Sequence, residues 1–128
     1  MPVPPLEAFA DAIMAFEGWK PGSRSYRNRN PGNIESAPGV YGVYATFVEG
    51  YQALLDDLKG KFTGRNRHGL GPQSTVTQLM NVYAPPSENP TQEYILFIIS
   101  RVTLALGRSI GQSTKLGDIW TEPQAVSS

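Results

Sequence analysis

Residues 20–33, Lys-Pro-Gly-Ser-Arg-Ser-Tyr-Arg-Asn-Arg-Asn-Pro-Gly-Asn, are almost entirely turn and loop formers. No helix or strand of ordinary length runs through two Pro-Gly pairs and three asparagines. The segment therefore divides the chain into a short N-terminal piece and a longer C-terminal one. The 128 residues suit one domain, 1–128, in which a single core can form. The tails, about 1–5 and 122–128, read as loose ends. With no cysteine, a disulfide framework and a thiolate-ligated metal are excluded.

Periodicity supplies the elements on either side. Leu6, Phe9, Ile13 and Phe16 recur at helical spacing, which predicts a helix over 5–17 stopped by Gly18. Asn33–Glu35 and Tyr41–Phe47 flank Ala37-Pro38-Gly39, the pattern of a small hairpin. Tyr51, Leu54, Leu55, Leu58 and Phe62 give a second helix over 49–62. Ser74 or Thr75 caps a third, with Val76, Leu79, Met80 and Tyr83 inward, and Ala84-Pro85-Pro86 ends it. Asn89 as N-cap, Pro90 at the first position and Gln92 as capping partner open a fourth, running to Leu106. That helix is apolar nearly all round and reads as central and buried. A short last helix covers 116–120. The fold class is α+β, predominantly helical.

Eleven basic residues balance eleven acidic ones. A neutral balance argues against a nucleic-acid binder. The chain opens without a secretory pattern, and its most apolar run, Tyr94 to Ile99, is too short to insert in a membrane. One histidine, His68, sits in a Gly- and Arg-rich loop, which supports neither a catalytic triad nor a metal site. No metal and no cofactor is implied.

Three stretches carry chemistry. In Phe16-Glu17-Gly18-Trp19, apolar neighbours and the negative end of a helix both disfavour a charged carboxylate. A carboxylic acid held protonated can donate to a leaving oxygen. In Ser25 to Ile34, amides and an aromatic suit a polar ring such as a sugar, although Asn-Pro-Gly-Asn is also plain turn chemistry. In the third, Tyr83 precedes two prolines that fix a turn, the setting of a cleft wall. Lys20, Arg24, Arg27 and Arg29 add a cationic loop that either steers an anionic polymer or is simply solvated.

Taken in order, Phe-Glu-Gly, Asn-Arg-Asn-Pro-Gly-Asn-Ile, Tyr-Ala-Thr-Phe, Glu-Gly-Tyr-Gln-Ala-Leu-Leu and Tyr-Ala-Pro-Pro-Ser-Glu-Asn-Pro-Thr-Gln-Glu-Tyr resemble the lysozyme-like lytic transglycosylases of bacteriophages and bacteria. The resemblance spans about Ile13 to Leu106. It implies a lysozyme-like fold with a small β-hairpin beside the active-site cleft, and a monomer acting on peptidoglycan glycan strands. The family's catalytic glutamate falls on Glu17, and Tyr26, Asn30, Asn33, Thr46 and Tyr83 fall beside the cleft. Arg29 departs from the pattern, where a third asparagine is expected. One acid/base residue suffices for a transglycosylase, because the sugar's own 6-hydroxyl attacks and leaves a 1,6-anhydro end. A hydrolytic muramidase would need a second carboxylate, for which Glu35 is the candidate. A glucosaminidase on the same fold, or a non-catalytic glycan-binding or phage structural module, would suit these residues as well. The expected place of action is the bacterial wall, reached from a virion, through a holin, or as the domain of a larger protein.

Overall fold

The computed structural model describes residues 3–87 and 89–122, so most of the tail expected at 122–128, and the first two residues of the other, lie outside the described part. The architecture is α+β, about half helical, with one two-stranded antiparallel sheet. In chain order the elements are α1 (Pro5–Phe16), α2 (Arg24–Arg27), β1 (Glu35–Ala37), β2 (Val40–Tyr41), α3 (Phe47–Thr63), α4 (Val76–Tyr83), α5 (Thr91–Leu106) and α6 (Leu116–Ile119).

Helix α1 begins at Pro5, whose missing N–H costs nothing in a first turn, and Glu7 lies near the positive end. Its inner face of Leu6, Phe9 and Ile13 packs between α5 and α3, and three alanines bring the helices close. Phe9 meets Phe62 edge-on at 5.4 Å. Leu54, Leu58, Leu79, Met80, Ile95, Ile98 and Leu116 complete one core. On the outer side the Tyr51 hydroxyl donates to Asp11 at 2.7 Å. Burial, then the Asp11 carboxylate, push the Tyr51 proton well above its ordinary range.

Several expectations are corrected. Helix α3 starts two residues earlier than its apolar period suggests, because Thr46 caps it by accepting from Glu49 N–H, so Phe47 is helical and not strand. The strands are correspondingly short, with Glu35 opposite Tyr41 and Ala37 opposite Val40. Thr75, not Ser74, caps α4, in a reciprocal box with Gln78. The expected capping box at α5 does not form. Asn89 turns back to donate to the Pro85 carbonyl, Pro90 holds the cap position without a side-chain bond, and the buried Thr91 hydroxyl donates to the Ala84 carbonyl. Nor is α5 buried all round, since Leu96 and Leu104 are 53% and 82% exposed. Residues 20–33 hold a helical turn, α2, that no periodicity announced; Ser23 caps it by accepting from Tyr26 N–H.

Candidate active site

A cleft of about 730 Å³ opens between the helices, the loop before the hairpin and the loop after α3. Glu17, the residue that caps the C-terminus of α1, lies in it half-buried. Its carboxylate is held from two directions. Tyr94 Oη, from α5, donates to Oε2 at 2.8 Å, and Asn33 Nδ2, from the loop, donates to Oε1 at 2.7 Å. The apolar enclosure expected from Phe16 and Trp19 is not what surrounds the acid. Phe16 stacks on Tyr94 with ring centres 3.8 Å apart, while Trp19 packs on Tyr26 and Phe47 and does not line the cleft.

The loop that delivers Asn33 is built on Asn30. Its amide is fully buried, donates to the Ile34 and Gly42 carbonyls at 2.9 and 3.0 Å, and accepts from Ile34 N–H at 3.0 Å. Arg29 and Asn33, either end of the turn, take left-handed φ of 49° and 48°. Two glycines let the loop sit down on the helices. A Cβ on Gly50 of α3 would overlap the Arg29 carbonyl oxygen, and one on Gly32 would lie 2.6 Å from Tyr83 Oη and 2.7 Å from Leu54. The Tyr83 hydroxyl donates to the Gly32 carbonyl, one residue before Asn33. Burial first, then the charges of Asp57 and Glu17, hold that hydroxyl protonated far above the ordinary tyrosine range. Burial, then the neighbouring Tyr83 and Glu17, do the same for Tyr94. Both phenols therefore keep their O–H.

Of the residues singled out from sequence, Glu17, Arg24, Asn33, Glu35, Tyr83 and Asn89 line the cleft together. Asn30 is buried behind it as the loop's internal clip, Thr46 serves as the cap of α3, and Tyr26 stands outside in the Trp19 cluster, 41% exposed. Glu35 is exposed, and its carboxylate has no hydrogen-bond or ion-pair partner among the described residues. Arg27 and Arg29 donate to the Gly22 and Tyr44 carbonyls, and Arg24 lies over the Tyr41 ring at 4.3 Å.

Comparison with protein families, curated proteins and solved structures gives no match to this chain.

Three contributors carry little signal in the sequence. Tyr94 sits among apolar residues of a buried helix; a tyrosine there needs a partner for its hydroxyl, which is the available signal. Asp57 and Lys61 lie one turn apart on α3, 2.7 Å from each other, in the cleft wall. Their i,i+4 spacing is ordinary on a helix surface, so nothing local marks it. His68 lines the far edge, exposed. Burial, then the charges of Lys61 and Arg67, lower its proton affinity from the ordinary value of 6.5.

Proposed function

We propose that this chain is a peptidoglycan lytic transglycosylase with a lysozyme-like fold, in which Glu17 acts as both general acid and general base. The observation that carries the proposal is the pair of donors on Glu17, from Tyr94 and Asn33, within a cleft large enough for sugar rings. A hydroxyl and a carboxamide can each donate or accept. Turning either one serves a carboxylic acid as readily as a carboxylate, so the same two partners can hold Glu17 in both halves of a proton cycle. A lysine or aspartate in either place would favour one protonation state only. Asn33 Oδ1 is buried and has no hydrogen-bond partner among the described residues, so an acceptor stands ready when its amide turns.

In this reading Glu17 first protonates the glycosidic oxygen between the two amino sugars. It then takes the proton of the sugar's 6-hydroxyl as that oxygen closes on the anomeric carbon, giving the 1,6-anhydro product. No second carboxylate is needed, which accords with Glu35 standing exposed and unpartnered among the described residues. The helical scaffold and the hairpin beside the cleft support a lysozyme-like assignment, and such a substrate would put the reaction at the bacterial wall.

The test is digestion of purified sacculi with products read by mass spectrometry, beside Glu17→Gln. The expected result is muropeptides with 1,6-anhydro ends from the parent chain and at least about a thousandfold less from the variant. Reducing ends would instead favour a hydrolase using Glu35. Intact sacculi would favour a binding module.

A further inference from the structure

Lys61 is only 7% exposed, an unusual place for an ammonium group. It stands in the last turn of α3, an end that favours a cation, but a solvated lysine would serve that end as well. A buried ion pair seldom stabilises a fold more than an apolar residue of the same size. The proton cycle of Glu17 uses neither Lys61 nor its partner Asp57. What burial gives this ammonium is a fixed position. Nζ lies 2.7 Å from Asp57 Oδ2, one turn back on the same helix, and 4.8 Å from the centre of the Tyr83 ring. The carboxylate pins the charge, and the charge lies over the aromatic face.

Tyr83 is the last residue of α4, a helix that packs mainly on α5 among the helices. Helix ends fray unless something outside holds them. The Tyr83 ring meets Tyr94 of α5 edge-on at 6.4 Å, and Lys61 reaches it from a third helix. At the far end of that ring the hydroxyl donates to the Gly32 carbonyl. That carbonyl belongs to the peptide unit joining Gly32 to Asn33, so the ring sets where the Asn33 backbone lies. Asn33 takes a left-handed φ of 48°, which outside contacts must maintain, and its Nδ2 reaches Glu17 Oε1 at 2.7 Å. A displaced ring passes its displacement to that bond. We propose that Lys61 is a positioning residue, which fixes the Tyr83 ring, holds the Gly32–Asn33 peptide through it, and so sets Asn33 against Glu17. The assignment rests on Glu17 as the acid/base of a lytic enzyme, and it gives the Asp57–Lys61 pair a part in the site without contact to substrate.

The experiment follows cleavage of soluble peptidoglycan strands by the whole chain, with kcat and KM separated. The Asn33 side-chain amide is read beside it by ¹⁵N NMR, assigned by its loss in Asn33→Ala. Lys61→Met fills the same space, but nothing pins its end to Asp57, so it follows the ring instead of holding it. It is expected to lower kcat about tenfold, to leave KM within about twofold, and to move the Asn33 signal towards that of a free amide. Lys61→Arg keeps a cation on the ring and should restore most of both. Added to Tyr83→Phe, which removes the hydroxyl and itself lowers kcat, Lys61→Met should cost less than about twofold more. Asp57→Asn loosens the pin with the lysine in place. It should give the same pattern at about threefold, and it serves where Lys61→Met does not fold. A raised KM with kcat unchanged, full additivity with Tyr83→Phe, or an unmoved Asn33 signal overturns the assignment. If the parent leaves peptidoglycan uncut while the Asn33 signal moves in Lys61→Met, the lytic reading falls and the positioning role stands. If the parent cuts while neither kcat nor the signal changes in that variant, the reverse holds.

Discussion

Two loops wall the cleft, and each is organised by one asparagine. Asn30 ties residues 30–42 by bonds to the Ile34 and Gly42 carbonyls and the Ile34 N–H. Asn66 ties residues 60–70 in the same manner, donating to the Gly60 and Leu70 carbonyls and accepting from His68 and Leu70 N–H. Their settings differ. Asn30 is fully buried, and its loop is pressed on α3 at Gly50, held by Tyr83 and bonded to Glu17. Asn66 is half-buried, and its loop carries exposed Arg65, Arg67 and His68 at the rim. Identical local chemistry thus yields a rigid wall where helices close over it and a solvated rim where they do not. The difference lies in packing, not in the clip.

The sharpest way to break that contrast is to remove each clip. Asn30→Ala should cost about 3 kcal/mol and abolish cleavage, since buried carbonyls and an N–H lose their partner. Thermal or urea unfolding of that variant checks the number. Gly50→Ala should cost about 2 kcal/mol, because its Cβ drives the Arg29 carbonyl and the loop off the helix; sacculus digestion should fall with it. Asn66→Ala should cost about 1 kcal/mol and leave turnover within about threefold, its freed groups reaching water. Equal destabilisation by the two asparagine variants would erase the distinction between wall and rim.

Two smaller effects sharpen it. Arg29 occupies a left-handed φ of 49°, which asparagine adopts more readily. Arg29→Asn should therefore raise stability by up to about 1 kcal/mol, less what the bond from Arg29 Nε to the Tyr44 carbonyl contributes. The smallest effect belongs to the rim. His68 binds its proton less readily folded than unfolded, so its share of stability is present above 6.5 and is lost as pH falls below it. His68→Asn should flatten the drop in melting temperature between about pH 7.5 and about pH 5.

The sequence disclosed the parts that depend on local repetition. The inward faces of α1, α3 and α4 follow from residues three and four apart, and the buried sets of Leu6, Phe9 and Ile13, and of Leu54, Leu58 and Phe62, agree with them. It misjudged α5, where Leu96 and Leu104 face solvent, because an apolar period cannot say how many neighbours a helix has. At the cleft, Glu17, Asn33 and Tyr83 were visible through their unusual local settings. Asn30, in its turn-rich loop, and Thr46, through the family resemblance alone, were also expected beside the cleft but turn out to hold the backbone, since amides and hydroxyls serve turns and caps as well as ligands. Tyr94, Asp57 and Lys61 were hidden because their partners lie across the fold or one ordinary helical turn away.

The two donors on Glu17 come from residues 16 and 77 positions further along the chain. A ribosome making this protein releases the acid early and the tyrosine that steadies it late. Until α5 has emerged and docked on α1, Glu17 is an ordinary solvated side chain with no cleft around it. A chain that stops before α5 therefore lacks Tyr94 and cannot assemble the pair of donors on Glu17.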